Sequence, residues 1–218
     1  MPSMMLKSQP FLLKTHGSRV NALNSTRANS RRVLSRASSV VAASTSSSRL
    51  DELIALCRDD NRGVGSTRRG EIESMIDKLL LLEEDDEDDE SKKTKNTDDS
   101  RLSARWKLLW TSEQETLFLL EKFNNSNAYQ TIDVRAKTLS NTVEFAGGNT
   151  FLVESEIEIA DERKVEFKFV SAGLKFSNGF TLPVPPVGKG WFDNVYVSDE
   201  YRVARDSRGD TLIVERCP

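Results

Sequence analysis

The feature that most constrains the fold is a run of short segments over residues 101–218 in which apolar and polar residues alternate. In Phe151–Ala160, glutamates alternate with Ser155 and Ile157, which is the period of a strand with one buried and one solvated face. Turn residues such as Gly147-Gly148-Asn149 separate the segments. The pattern predicts seven to nine short antiparallel strands that follow one another along the chain.

Such a series of strands exposes two sheet edges unless the sheet closes on itself. We therefore expect a mainly β fold in which the antiparallel sheet forms a barrel, and a two-sheet sandwich is the alternative. A barrel of about eight strands can be packed solid or can hold one small ligand. The alternation of residues fits both arrangements.

Two stretches of this region depart from the alternation. Thr116–Phe123 is apolar without a clear period, so it fits either a strand or a helix. Leu182–Gly190 contains three prolines, which remove backbone donors, and we expect a loop there.

Two amphipathic helices are predicted ahead of the strands. The first has the spacing of one helical face and stops at a glycine signal, Asn61-Arg62-Gly63; its apolar residues are Leu50, Leu53, Ile54 and Cys57. The second runs from Ser66 or Thr67 to about Leu82. Because so short a pair buries little on its own, residues 43–82 are expected to form an α-helical hairpin that packs on the barrel.

An acidic segment, residues 83–100, separates the helices from the strands, and Glu83–Glu90 is a run of eight consecutive acids. Like charges repel one another and supply no core, so the segment is expected to be a disordered linker. A calcium site is the alternative, although the run lacks a glycine-containing loop of EF-hand spacing.

The N-terminal region has the opposite charge. Residues 1–50 carry eight bases and no acid, although the whole chain has a net charge of -3. Residues 1–42 are rich in Ser and Arg and lack the apolar core of a secretory signal, which is typical of an organellar transit peptide. Composition leaves plastid and mitochondrion open, and a disordered basic tail is the alternative.

Removing residues 1–42 would take away seven bases and change the net charge from -3 to -10. It would also remove the single histidine, His16. Without histidine, Ser-His-Asp and Cys-His sites cannot form and the commonest metal ligand is missing. Hydrolase and metalloenzyme functions therefore lose most of their support, and we expect a non-enzymatic protein with no catalytic residue, no metal and no cofactor.

Other classes are excluded by composition and spacing. Cys57 and Cys217 make neither a disulfide framework nor a CxxC motif. An acidic body is unlike that of a nucleic-acid-binding protein. No apolar run approaches the roughly 18 residues of a membrane-spanning helix.

Three segments of the chain resemble those of the plastid lipid-associated proteins, or fibrillins. The first is the helix end at Asp60-Asn61-Arg62-Gly63, followed by a helix that opens near Ser66. The second, Arg105–Ser112, is similar to the Gly-x-Trp-x-Leu-x-Tyr-Thr-Ser motif of the family. The third, Gly190–Arg216, is similar to its C-terminal signature, with a Tyr-Leu-Asp-Glu segment, Arg-Ile-x-Arg and a glycine hairpin. Pro183–Phe192 and the short length resemble the small members.

This resemblance implies a lipocalin-like β-barrel in a chloroplast protein found at plastoglobules and thylakoids. It implies an apolar lipid, prenylquinone or carotenoid as the ligand, peripheral contact with the plastoglobule or thylakoid membrane, and no nucleic acid; a plastid protein is a further candidate partner. The expected function is to bind or sequester apolar small molecules. The alternatives are a structural coat or scaffold without an internal ligand, and an enzyme of prenyl-lipid metabolism that uses carboxylates alone.

Three sets of residues are candidates for this role. The first either lines a lipid cavity or simply fills the barrel: Trp106, Leu108, Trp110, Phe151, Ile157, Phe167, Phe169 and Phe176. In lipocalin-like barrels an arginine of a late strand stacks on a first-strand tryptophan, so Arg202 or Arg216 would close the barrel on Trp106 through a cation–π contact. The third set is an aromatic pair beside a cation, which would contact a membrane or form a lid: Lys189, Trp191 and Phe192.

Overall fold

The computed structural model describes residues 48–84, 97–123 and 125–218, with side chains 80–84 left undescribed. Helix α1 covers 48–59, and a 3-10 turn at Asn61–Gly63 separates it from α2, Arg69–Glu84. A short helix, α3, covers Asp99–Leu102. The predicted transit peptide, residues 1–42, and positions 85–90 of the acidic run lie outside the described residues.

Nine strands follow, with helix α4 (Gln114–Lys122) between the first two. The strands are β1 (Ala104–Thr111), β2 (Asn127–Asp133), β3 (Thr138–Glu144), β4 (Thr150–Ile159), β5 (Lys164–Lys175), β6 (Thr181–Val184), β7 (Lys189–Val197), β8 (Tyr201–Asp206) and β9 (Thr211–Arg216). The mainly β, antiparallel architecture predicted from the alternation is confirmed. No helix in the described part of the chain is long and apolar enough to cross a membrane.

The strands form one sheet in the order β4-β3-β2-β1-β9-β8-β7-β5-β6. Because β4 also pairs with β5, from Thr150↔Lys175 to Ile159↔Val165, eight strands are hydrogen-bonded in a closed circuit, here called the strand ring. Strand β6 lies outside the ring, against β5. The described strands thus belong to one continuous sheet rather than to the two sheets of a sandwich.

The structure resolves one ambiguous segment as a helix and shortens one expected loop. The ambiguous segment Thr116–Phe123 lies almost entirely in α4. The expected loop Leu182–Gly190 is shorter than predicted, because β6 extends to Val184 and β7 begins at Lys189. Pro183 is tolerated within β6 because this strand lies at an edge, where a missing donor costs little.

Two apolar clusters occupy the two faces of the sheet. The inner cluster joins residues from around the strand ring, including Trp106, Ile157 and Val165. The outer cluster joins the apolar faces of α1 and α2 to the outside of β1, β8 and β9; its members include Leu53, Ile54, Cys57, Ile72, Ile76, Trp110, Val203 and Ile213. The amphipathic faces read from the sequence are therefore buried against the sheet.

A β-bulge in β1 decides which residues face which cluster. Leu108 lies opposite Val214 of β9. Trp110 is two residues further along β1 but lies opposite Ile213, which is only one residue from Val214. The extra residue in β1 turns Leu109 and Trp110 to the outer cluster, whereas Leu108 stays in the inner one.

Gly63 lets the chain pass close to the end of β1. Its φ is +94°, in the left-handed region, and a Cβ there would lie 2.2 Å from the carbonyl oxygen of Thr111. Both the conformation and the contact require glycine. This position fixes where α1 ends relative to the sheet.

Candidate functional site

A cavity of about 580 Å³ lies inside the strand ring. Its volume is within the range of roughly 300–1,000 Å³ that is typical of small-molecule sites. Strands around the ring contribute apolar walls, including Leu108, Leu139, Phe151, Phe167, Phe192 and Val214. The ring is therefore not packed solid.

Three phenylalanines of β5 and β7 form an aromatic wall. The rings of Phe167 and Phe169 stack with centroids 5.4 Å apart, and Phe167 meets Phe192 at 6.3 Å. Gly188, the residue before β7, passes so close that a Cβ there would lie 2.6 Å from the Phe169 ring. The absence of a side chain at Gly188 therefore lets its backbone pack directly against the ring of Phe169.

The end of the ring at the start of β1 is closed. Trp106 is fully buried there, and its indole Nε1 donates a 3.0 Å hydrogen bond to the carbonyl of Leu102 in α3. The guanidinium of Arg216 lies 4.5 Å from the centroid of the Trp106 ring, and that of Arg202 lies 5.6 Å away. The structure therefore brings both candidate arginines to the tryptophan.

Arg202 is fully buried, and its guanidinium also lies over the ring of Phe192, 5.5 Å from the centroid. It donates through Nη1 to Oδ1 of Asn194 at 3.1 Å and through Nη2 to Oε1 of Gln130. Burial disfavours the charged form and lowers the pKa of Arg202 to about 9. The side chain still carries a proton at neutral pH.

Gln130 connects this arginine to the cavity, which it helps to line. Its Nε2 donates to Oδ1 of Asn141 at 2.9 Å, and Asn141 also lines the cavity. Arg202, Gln130 and Asn141 therefore form a hydrogen-bonded chain from the buried cation to the cavity wall. The two amides could not be recognised from the sequence, because a polar residue on a strand is ordinarily assigned to the solvated face.

The opposite end of the ring is the mouth of the cavity, where the lining residues are exposed. Arg208, in the turn between β8 and β9, forms ion pairs with Glu115 of α4 at 2.6 Å, with Glu113 just before α4 at 3.2 Å, and with Asp206 at 3.2 Å. Burial raises the pKa of Glu113, whereas the hydrogen bond from Arg208 lowers the pKa of Glu115. The ion pairs tie α4 to the turn across the mouth.

The predicted cavity set is divided by the structure. Leu108, Phe151, Phe167 and Phe169 line the cavity, while Trp106 and Ile157 are buried in the inner cluster beside it. Two aromatic residues lie elsewhere. The bulge turns Trp110 to the outer cluster, and Phe176 lies at the turn after β5, stacked on Phe180 at 5.8 Å.

The predicted aromatic pair is also separated. Trp191 and Phe192 are neighbours on β7, and neighbours on a strand face opposite sides of the sheet. Phe192 is buried against the cavity, whereas Trp191 lies outside, 4.4 Å from the ammonium of Lys164. Lys189 is exposed at the cavity mouth. These residues do not form the exposed aromatic pair expected from the sequence.

A patch of exposed apolar side chains adjoins the mouth. Phe180 is 60% exposed, Leu182 48% and Val187 84%. Val187 also lines the cavity, together with Val184. The patch lies on β6 and on the segments before and after it.

The part of the chain that resembles known proteins is nearly the same as the part that forms the helices and strands described above. Residues 48–215 match the PAP_fibrillin family, so the match runs from α1 into β9. The chain is also 41% identical over 176 residues to the probable plastid-lipid-associated protein 11, chloroplastic, of Arabidopsis thaliana, covering 77% of this chain and 78% of that protein. The family match includes β1 to β8, all but the last residue of β9, and every residue that lines the cavity. The chain therefore belongs to the PAP_fibrillin family.

Proposed function

We propose that this chain is a chloroplast lipid-binding protein that holds an apolar small molecule inside a lipocalin-like β-barrel. The observation that carries the proposal is the cavity of about 580 Å³ with apolar walls inside the strand ring. Prenylquinones, carotenoids or other lipids are the ligand class, and the protein acts by binding rather than by catalysis. Family membership and the name of the Arabidopsis relative support the plastid setting.

The driving force is the removal of apolar surface from water, which stabilises by about 25 cal/mol per Å². Leu108, Phe151, Phe167 and Phe169 supply part of that surface on the protein side. At the closed end, Trp106 with Arg202 and Arg216 keeps water and ligand from passing through the ring.

The proposal includes a layout of the whole chain. Residues 1–42 are a chloroplast transit peptide, 43–82 a helical hairpin that packs on the barrel, 83–100 an acidic linker, and 101–218 the barrel. The burial of α1 and α2 against β1 supports the second of these. The mature protein acts at plastoglobules or thylakoids, in peripheral contact with their lipid surface.

The cavity can be tested by plugging it. Ala172 lines the cavity, whereas its neighbour Ser171 faces the solvent side of β5 and bonds to Glu154 at 2.6 Å. We expect Ala172→Trp to abolish binding of the apolar probe Nile red, as measured by its fluorescence, while Ser171→Trp binds like the parent chain. Equal binding by both variants, or none by the parent, would contradict the proposal.

A second function, that of a coat or scaffold docked on lipid bodies, is favoured by the exposed patch at Phe180, Leu182 and Val187. Lys175 and Lys189 lie beside it in the chain, as expected for contact with a lipid surface. If this function is the right one, Phe180→Ser with Val187→Ser abolishes flotation with galactolipid liposomes, and Ala172→Trp floats normally. If Phe180→Ser with Val187→Ser floats as well as the parent chain, the patch does not dock on lipid.

A further inference from the structure

We propose that the ligand of the cavity is a long-chain carboxylate, bound with its charged head at the closed end beside Gln130 and Asn141. This inference rests on the proposed lipid-binding function and narrows its ligand class. It is carried by a buried positive charge that the described residues leave without a counter-ion.

The charge belongs to Arg202, which is fully buried. Among the residues that the structure describes, its hydrogen bonds go to the neutral amides of Asn194 and Gln130, and no carboxylate pairs with it. Its Nε has no partner there either. A buried cation is ordinarily paired with an anion, because leaving it unpaired costs far more than leaving a neutral group unpaired.

The surrounding aromatic rings compensate for only part of this cost. Trp106 and Phe192 offer the faces of their rings at 5.6 and 5.5 Å, and cation–π contacts are weaker than an ion pair in the same dry environment. By contrast, Arg216 also stacks on Trp106, yet it is partly exposed and bonds to the carbonyls of Asp199, Ser103 and Arg101. Arg202 is therefore the buried cation that still lacks an anion, and a ligand in the cavity can provide one.

The hydrogen-bonded chain brings this charge to the cavity surface. Arg202 donates to Gln130, and Gln130 donates to Asn141, so each amide dipole is oriented by the cation behind it. Nδ2 of Asn141 has no partner among the described side chains and carbonyls, and Asn141 lines the cavity. An amide donor polarised by a buried cation is a suitable site for a carboxylate oxygen.

Charges at the mouth fix the orientation of such a ligand. The charged lining residues there are four carboxylates and two cations: Glu113, Glu115, Asp206, Asp210, Lys189 and Arg208. Three of the carboxylates lie within 3.2 Å of Arg208, so that its charge is already neutralised. An anionic head is therefore disfavoured at the mouth and favoured at the Arg202 end, while an apolar tail lies along the phenylalanine wall.

The two ends are well separated. Trp106 and Thr111 mark the closed end and the mouth on β1, and the rise of a strand places them roughly 16 Å apart. A carotenoid hydrocarbon has no group for the polar end, and the carbonyl of a quinone carries no charge to balance Arg202. A carboxylate on an apolar chain matches both ends at once.

The test compares two ligands that differ only in the head group. Hexadecanoic acid and hexadecan-1-ol are titrated at pH 7.5 into the full chain by displacement of Nile red. We expect the acid to bind at least about tenfold more tightly, the effect of one hydrogen bond to a charged group. Arg202→Met and Asn141→Leu should lose this preference and still bind the alcohol. Val153→Ala, opposite Asn141 on β4 and also lining the cavity, lies outside the hydrogen-bonded chain and should keep this preference.

A second measurement does not depend on whether Arg202→Met folds. Hexadecanoic acid labelled with ¹³C at its carboxyl is bound to the unsubstituted chain and titrated by NMR. A head at the closed end should remain ionised well below the pKa of about 4.3 that a side-chain carboxyl has in water, because the cation favours the anion. A bound acid that titrates as in water has its head at the mouth, which overturns the proposal.

The outcomes separate this inference from the proposed function. If acid and alcohol bind equally, or if the preference survives in Arg202→Met, the cavity binds lipid but the carboxylate site is wrong. If neither ligand displaces Nile red, and Ala172→Trp behaves like the parent chain, the lipid-binding function itself is contradicted.

Discussion

The indole Nε1 of Trp110 donates a hydrogen bond of 2.8 Å to the carboxylate of Asp60. Asp60 follows the last residue of α1, and Trp110 lies on the outer face of β1 because of the bulge after Leu108. The bond therefore connects the end of a helix to the sheet at the point where both enter the outer cluster. It gives this tryptophan a structural role in place of the cavity role expected from its sequence position.

Replacing Asp60 should weaken this connection. We expect Asp60→Ala to lower the free energy of unfolding by about 1.5–3 kcal/mol, the range for a hydrogen bond to a charged group, as measured by urea denaturation. Asp59→Ala is the matched control, because Asp59 is the preceding residue and is exposed. Equal losses in the two variants would show that the bond adds nothing to stability.

Gly63 should be far less replaceable than Gly65. Gly63→Ala would place a Cβ 2.2 Å from the Thr111 carbonyl oxygen at a φ of +94°, whereas a Cβ at Gly65, φ +67°, meets nothing within 4 Å. We expect Gly65→Ala to cost about 1 kcal/mol from the backbone conformation alone. Gly63→Ala should cost several times more in thermal denaturation, and similar costs would mean that β1 can shift to admit the methyl group.

Cys57 should be unreactive while the protein is folded. Burial, with a smaller contribution from the nearby Asp60 carboxylate, raises the pKa of its thiol from 9.0 to about 12. Because the thiolate is the nucleophile, iodoacetamide at pH 8 should label Cys217 and leave Cys57 unmodified, as read by peptide mass spectrometry. In urea both should be labelled. Rapid labelling of Cys57 without denaturant would contradict its burial in the outer cluster.

The same thiol has a consequence at high pH. The folded state keeps its proton where the unfolded state has lost it, so the contribution of Cys57 to stability is complete below about pH 9. It decreases as the pH rises from about 9 toward 12. Cys57→Ser should remove this part of the alkaline decrease in the free energy of unfolding.

The two glutamates at the mouth should respond to pH with opposite signs. The folded pKa of Glu113 lies above its ordinary value of 4.5, so stability from this group is present at low pH and is lost as the pH rises above 4.5. The folded pKa of Glu115 lies below 4.5, so its contribution is present above that pH and is lost on acidification.

Substitution separates the two effects. As the pH rises from 4 to 8, the free energy of unfolding of Glu113→Gln should increase relative to that of the parent chain. That of Glu115→Gln should decrease relative to the parent over the same range. Chemical denaturation at the two pH values measures both. Changes of the same sign in the two variants would show that the burial of Glu113 does not outweigh its attraction to Arg208 as the structure indicates.

Local patterns in the sequence were sufficient for the strands and the two helices. In β4, the alternation of glutamates with Ser155 and Ile157 corresponds to exposed and buried side chains in the structure. The face of α1 that carries Leu53 and Cys57 is buried as its spacing indicated. These features depend on periods of two and 3.6 residues, which are local properties of the chain.

Features that depend on register or on distant partners could not be read in this way. A single bulge reverses the face of Trp110, and no residue type near it marks the change. The wall amides Gln130 and Asn141 have the polar character of surface residues, and their role depends on Arg202, which is distant in sequence. The loop expected before Trp191 proved shorter because the edge position of β6 accommodates Pro183, and strand pairing is not a local property.

The pairing of β1 with β9 also has a kinetic consequence. The hydroxyl of Thr111 donates to the carbonyl of Thr211, a residue 100 positions later in the chain. Neighbouring strands such as β3 and β4 can pair through a short turn, but this seam must wait until most of the intervening chain has been ordered, and contacts so distant in sequence slow folding. We therefore expect this seam to form late, and until it closes the apolar interior that would hold a lipid is open to water and to other unfolded chains.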